Sequence, residues 1–333
     1  MRILITGGAG FMGSNFIHYL LEKYPDYQIV NLDKLTYAGN LENLKDVEDN
    51  PNYTFIKGDI AVKEDVKKAL GLGADVIVNY AAETHVDRSI MDPEAFIKTD
   101  VLGTFELLEA VKDGQAQKMI QISTDEVFGE IKEGEFSEDS PFLPNSPYSA
   151  SKAGGDLMCR AYFKTYQTPV IVTHSCNFYG AYQYPEKLIP LFVTNLLEGK
   201  KVPMYGDGKN VREWIFTKDH CRAIDVILHK GEAGEVYNIG SGDQRENLEI
   251  AEMLFDILGL GKEKLEYVKD RPGHDWRYAI NSDRLRQKLG WKPEYKLEEG
   301  LKETVEWYKN NKDWWQKLKD GKYLDYYKRQ YGK

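Results

Sequence analysis

Two short stretches of this chain carry side chains suited to moving protons. Tyr148 and Lys152 form a Tyr-x-x-x-Lys pair, and Ser146-Pro147 just ahead of it reads as a helix N-cap and first turn. The i, i+4 spacing puts phenol and ammonium on one helical face. A free phenol titrates near ~10 and is a poor base at neutral pH. A cation one turn away favours its ionised form. The second stretch is Ser123-Thr124-Asp125-Glu126-Val127-Phe128-Gly129, directly after a strand pattern at 119–122. Open α/β sheets place ligands at the carboxyl ends of their strands. There Thr124 has a hydroxyl to offer a substrate hydroxyl beside Tyr148. Two adjacent acids enclosed in one pocket separate in pKa and become one acid and one base. Left in solvent, they are an ordinary acidic turn.

A third stretch binds rather than reacts. Strand pattern 2–6 runs into Gly7-Gly8-Ala9-Gly10-Phe11-Met12-Gly13 and then into a helix at 11–23. Glycines permit a tight turn and a close backbone approach to a pyrophosphate, which meets the unpaired N–H groups and positive dipole end of the helix. Asp33 stands twenty residues after Gly13, at the end of the second strand. A carboxylate there accepts from ribose hydroxyls and repels a 2′-phosphate, so the spacing predicts NAD rather than NADP. Asp59-Ile60 after the third strand is expected to flank the adenine. Ala81-Ala82 after the fourth is small enough for the nicotinamide half to lie against it.

These positions need a scaffold, and the chain supplies one. Strand patterns at 2–6, 28–32, 53–57, 76–79 and 119–122 alternate with helix patterns at 11–23, 65–70 and 96–111. That alternation predicts an α/β fold, a Rossmann-type doubly wound parallel sheet with helices on both faces. After about 170 the rhythm breaks into shorter elements separated by Gly, Pro and Trp, which predicts a smaller mixed α/β C-terminal substrate domain. The expected division is 1–175 plus about 211–240 for NAD, with residues 212–239 returning to the sheet, and about 176–210 plus 241–333 for substrate. Of the 333 residues 42% are apolar, enough for large cores, and the net charge of −9 argues against nucleic acid. No apolar run approaches the ~20 residues of a membrane span. The first residues enter a strand without a leader pattern, so a cytoplasmic protein is expected. Cys159, Cys176 and Cys221 form no CxxC pair, so neither disulfide nor metal is predicted. The aromatic, lysine-rich tail from 313 onward reads as amphipathic helix packing its rings onto the body.

With the segments 7–13, 32–40, Ala81-Ala-Glu-Thr-His-Val-Asp-Arg-Ser-Ile90, 123–129, 148–152, Tyr182-Gln-Tyr-Pro-Glu-Lys-Leu-Ile-Pro190, Tyr205-Gly-Asp-Gly-Lys-Asn-Val-Arg212 and 271–275 in view, the chain resembles the nucleotide-sugar 4,6-dehydratases of the extended short-chain dehydrogenase/reductase family. The matching segments span residues 1 to about 280. The Thr-Asp-Glu run separates these dehydratases from the same-fold 4-epimerases. The resemblance implies that Tyr148 deprotonates the sugar 4-hydroxyl, Glu126 removes the C5 proton and Asp125 protonates the departing 6-hydroxyl. It also implies that Lys152, Gly7, Gly10, Phe11, Met12, Gly13, Lys34 and Thr99 contact NAD. His85, Thr124, Asn177, Lys187, Arg212, Asn247, Arg271 and His274 would hold the nucleotide sugar, dTDP-glucose above others. A homodimer formed through helices 96–111 and 148–166 is expected as well. The chain departs from the family at Phe178, Ala181, Trp276 and Asn281, all on the nucleotide side. UDP-glucose or UDP-GlcNAc as substrate, a 4-epimerase and a non-enzymatic dinucleotide sensor are the alternatives. The intact Tyr148, Lys152, Asp125 and Glu126 argue against the last of these.

Overall fold

The structure is a computed structural model that describes residues 1–270, 273–319, 321, 323, 327 and 330. Seven parallel strands form the main sheet in the order Val236–Ile239, Val170–Ser175, Lys118–Thr124, Val76–Asn79, Arg2–Thr6, Gln28–Asp33, Tyr53–Lys57. Chain order reverses between Arg2–Thr6 and Val76–Asn79, so the carboxyl ends of these neighbours flank a topological switch point. The strands are apolar on both faces, as a sheet covered on two sides requires. Ile3 and Ile5 pack with Phe16, Ile17, Leu20 and Ile224 on one face. Leu4, between them, packs with Val66, Leu107, Leu108 and Tyr162 on the other.

A second core lies outside this sheet, built from Phe192, Trp214, Phe216, Leu254, Leu301 and Trp315 among others. It carries a three-stranded sheet of Gln244–Glu246, Val211–Phe216 and Asn177–Tyr179, and a parallel pair of Val202–Tyr205 with Leu265–Val268. Residues 212–216 therefore do not return to the large sheet as expected. They pair with the strand that leaves it, and the return is made by helix Thr217–Lys230 and strand Val236–Ile239. In the tail, Trp314, Trp315 and Tyr323 are buried, as the packing reading requires.

The expected single helix over 96–111 is three pieces: Pro93–Phe96, a π-helical turn Ile97–Gly103, and Thr104–Lys112. A π turn inserts a residue into the helical ladder and re-aims the side chains around it, a local change that hydrophobic periodicity does not report. Here it buries Thr99 and Asp100. A buried polar chain anchors it to the sheet. Thr6 Oγ1 donates to Asn79 Oδ1 (2.5 Å), Asn79 Nδ2 to Gln121 Oε1 (2.7 Å), Gln121 Nε2 to Thr104 Oγ1 (3.3 Å) and Thr104 Oγ1 to the Asp100 carbonyl (2.7 Å). Satisfied in this way, polar groups in the sheet interior fix one register instead of destabilising it.

Candidate active site

The glycine turn closes on itself. Gly7 adopts φ +67°, and a Cβ there would lie 2.6 Å from the Ala81 nitrogen. A Cβ on Gly13 would lie 2.4 Å from the Gly7 carbonyl oxygen. Gly10 precedes helix Phe11–Lys23, and no side chain caps that helix, so its leading N–H groups face the turn without a side-chain partner. Asp33 accepts from Ala9 N (2.9 Å) and Leu35 N (2.8 Å). Burial raises its pKa, and these two backbone bonds work against the rise. Lys34 Nζ lies 2.6 Å from Asp59 Oδ2.

One cavity joins this turn to the proton-moving groups. It is lined by Gly7, Gly10, Phe11, Met12, Gly13, Asp33, Lys34, Asp59, Ile60, Ala81, Ala82 and Thr99 on the dinucleotide side, by Thr124, Asp125, Glu126, Tyr148 and Lys152 at its middle, and by Asn177 and Lys187 beyond. His85, Arg212, Asn247 and His274 do not line it. His85 is buried at the start of helix Val86–Met91. Arg212 stacks 4.2 Å over the Tyr278 ring, with Nη2 donating to the Asp275 carbonyl (2.9 Å). Asn247 begins helix Asn247–Leu258, and His274 Nδ1 lies 2.7 Å from Asp270 Oδ1. Arg271 lies outside the described residues. Of the departures, Phe178 lines the cavity, whereas Ala181, Trp276 and Asn281 do not.

Tyr148 stands in the first turn of helix Pro147–Tyr166, which opens with a Ser146–Ser149 capping box, a device that contributes ~1 kcal/mol to a helix start. The ring packs edge-on against Phe96 at 6.3 Å. Burial holds the phenol well above its ordinary pKa, and the charges of Glu126, Asp100 and Asp125 push it further, while a bond to Thr124 pulls it back. In the protein alone these effects oppose the ionised phenol that Lys152, with an oxidised nicotinamide nearby, is expected to favour. Lys152 Nζ donates to the Ile122 carbonyl (2.7 Å), and its charge acts on Asp100.

The strand over 119–122 extends to Lys118–Thr124, which brings Thr124 to the strand end and the two acids onto a 3-10 turn, Asp125–Phe128. Thr124 Oγ1 accepts from Glu126 N and donates to Asp125 Oδ1, both at 3.2 Å. Asp125 is 2% exposed. Burial holds its carboxyl well above the usual range, Glu126 and Glu213 add to this, and Arg212 and the Thr124 bond oppose it. Asp125 is buried and Glu126 half-buried in the same cavity, and the raised pKa of Asp125 favours its protonated form.

Two acids escaped sequence reasoning. Asp100 accepts from Ser151 Oγ (2.6 Å) and Glu83 N (3.2 Å), and burial pushes it up to about 7. Glu213 accepts from Gly242 N (2.8 Å) and is 1% exposed. Neither belongs to a spacing pattern. Asp100 depends on the π turn, and Glu213 on a strand pairing formed across 30 residues and more. Among the described residues, no group of three or more His, Cys, Asp or Glu side chains is placed to hold a metal ion.

A sheet with a switch point, an uncapped glycine-led helix and a Tyr-Lys pair beside two acids define the site of a dinucleotide-dependent enzyme. The GDP-mannose 4,6 dehydratase family matches residues 4–304, and this chain belongs to it. It is 50% identical to a low-salt glycan biosynthesis protein of Haloferax volcanii over 92% of this chain and 98% of that one. It is 49% identical to a dTDP-glucose 4,6-dehydratase of Streptomyces niveus, covering 96% of each chain. The crystal structure of a dTDP-glucose 4,6-dehydratase from Bacillus anthracis in complex with NAD superposes with a TM-score of 0.90 at 53% identity, covering 96% of this chain and 99% of that one.

Proposed function

We propose that this chain converts dTDP-glucose to dTDP-4-keto-6-deoxyglucose, as an NAD-dependent hydro-lyase. The observation that carries the reading is the enclosure of Asp125, Glu126 and Tyr148 in the cavity that begins at the glycine turn. A same-fold 4-epimerase needs no such acid pair.

The residues fit NAD. The turn at 7–13 has no room for a Cβ at Gly7 or Gly13, the helix behind it is uncapped, and Asp33 is a fixed acceptor 24 residues from Ala9. Gly7, Gly10, Phe11, Met12 and Gly13 would hold its pyrophosphate, Asp33 and Lys34 its adenosine side, with Asp59 and Ile60 by the base. Ala81, Ala82, Thr99 and Lys152 would hold its nicotinamide side. When bound, NAD supplies a hydride acceptor for sugar C4, a donor for C6, and a positive ring charge that eases ionisation of a nearby phenol.

The chain's own groups move the protons. Tyr148 Oη takes the 4-hydroxyl proton, with Thr124 holding the phenol oxygen. The 4-ketone that results acidifies C5–H, so a carboxylate is a strong enough base to remove it, and that base is Glu126. Asp125, kept neutral by burial and by its acidic neighbours, donates its proton to the departing 6-hydroxyl, which leaves as water, and Glu126 returns a proton to C5 as C6 is reduced. His85 is assigned to the sugar, and Asn177 and Lys187, which line the cavity, to the nucleotide diphosphate together with Arg212, Asn247, Arg271 and His274.

Further parts of the reading follow. The NAD unit comprises 1–175 plus a return ending near 240, and the substrate unit the rest; the separate second core supports this. A homodimer forms through segments 96–111 and 148–166, which expose Ile97, Leu102 and Leu157. No described helix is long and apolar enough to cross a membrane. The protein works in the cytoplasm, which three free, buried thiols support.

The deciding experiment is product NMR with dTDP-glucose deuterated at C4. The label is expected at C6 of a 4-keto-6-deoxy product, and the same reaction in deuterated water is expected to place solvent deuterium at C5. Escape of the C4 label into water, or a C4-inverted product with its oxygen at C6 intact, would refute the reading.

A further inference from the structure

The glycine turn is held by more than its own backbone. Ala9, in its middle, donates its N–H to Asp33 Oδ2 (2.9 Å). Its carbonyl accepts from Asn40 N and from Asn43 Nδ2, both at 2.9 Å. Asn43 is 1% exposed, and its other amide atom, Oδ1, accepts from the indole Nε1–H of Trp314 at 2.8 Å. Trp314 belongs to helix Lys312–Leu318. Its indole is 8% exposed and packs edge-on against Trp307 at 5.0 Å and Tyr182 at 6.0 Å, in the second core. A polar chain thus runs from the tail through Asn43 and Ala9 to the ribose-binding carboxylate. An exposed Lys317–Glu42 pair (2.9 Å) lies beside it and contributes little.

We propose that Trp314 is a positioning residue for NAD: the tail helix acts as a strut from the substrate unit that holds the dinucleotide turn and slows NAD release. Trp314 lies beyond residue 304, where the family match ends. The chemistry calls for such a strut, because a hydride removed at C4 must be returned at C6, so NAD released midway strands the sugar as an intermediate. Physically, the turn has few side chains of its own to hold it. Asn43 converts the burial of one indole into a fixed carbonyl direction at Ala9. Loss of the indole N–H leaves Asn43 Oδ1 buried without that donor and frees the amide to rotate away from Ala9.

The inference rests on residues 7–13 being the NAD turn. The test is release of labelled NAD from the holoenzyme into excess unlabelled NAD. Trp314→Phe keeps the ring and removes the donor, and it is expected to speed release about tenfold, equivalent to about 1.4 kcal/mol. Asn43→Ala, which leaves the tail sequence intact, reads the same link from its other end and is expected to do likewise. The double variant should be no faster than the faster single, since both cut one chain. The control is Trp315→Phe: Trp315 is fully buried, and its Nε1 bonds the Tyr308 carbonyl (2.8 Å) inside the tail unit. It should release NAD at close to the parent rate. Equal acceleration by Trp315→Phe would mean general loosening of the tail and would overturn the strut. Unchanged release in Trp314→Phe and Asn43→Ala, with Gly13→Ala still losing NAD, would overturn the strut and leave the NAD reading standing. An unmodified chain that retains no NAD would refute that reading itself.

Discussion

Asp33 ends one strand of the main sheet and Asp125 directly follows another, and both are buried, yet they are built for opposite tasks. Asp33 has a backbone N–H on each oxygen, from Ala9 and from Leu35. Those donors restrain the rise that burial imposes on it and keep it an acceptor. Asp125 has the carboxylates of Glu126 and Glu213 nearby, and their repulsion adds to burial in raising its pKa, with Arg212 and the Thr124 bond opposing. The difference teaches that burial alone does not assign a carboxyl its role. Backbone donors make a fixed anion, and crowded acids make a proton donor.

The comparison can be attacked from either end. The largest effect is expected at the acid pair. Glu126→Gln should cut turnover by about 10³, within the range for loss of a general base, while deuterium exchange at C5 disappears and oxidation at C4 persists in single-turnover absorbance. Asp125→Asn should follow at about 10², with a pH signature. A carboxyl whose folded pKa is raised keeps its proton to higher pH than a free one and loses it as pH climbs further, so the parent's rate falls on the high-pH side of its profile. The variant has no such proton to lose, and its residual rate should lack that limb. An unchanged alkaline limb would remove Asp125 from its role.

Asp33→Ala tests the other end. Losing one charged acceptor should weaken NAD about 10- to 100-fold, read by calorimetry, with the elimination step in enzyme saturated with NAD little changed. A fall in that step equal to Asp125→Asn would erase the distinction between the two aspartates. The smallest effect concerns Asp100. Its carboxyl is raised from 3.8 to about 7, so the folded state holds a proton that the unfolded chain releases. Its stability contribution is therefore present at low pH and lost as pH rises through that window. Asp100→Asn should flatten the fall in Tm across it, and a slope identical to the parent's would show that the group does not titrate there.

Much of this was legible in the residues. Strand 2–6, helix 11–23 and the glycine turn are local: period, N-terminal signals and twenty-residue spacing to Asp33 all lie within one βαβ unit. The Tyr148–Lys152 pair is also local, because helical geometry alone puts i and i+4 on one face. Its electrostatics were not, since the phenol's neighbours Glu126 and Asp100 come from other elements, and Lys152 is engaged by a strand carbonyl. The break in the helix over 96–111 was invisible, because a π turn leaves the apolar pattern intact.

The sequence by itself determined the dinucleotide turn, the parallel sheet and the residue types of the proton-moving set, because each follows from backbone sterics and short-range periodicity. Only the tertiary structure decided that Asp125 is buried with its pKa raised, that Asp100 and Glu213 are buried near the site, and that an indole 271 residues from Asn43 bonds its amide. Those outcomes depend on which distant segments exclude water together, and desolvation and carboxylate repulsion exist only once the segments have met.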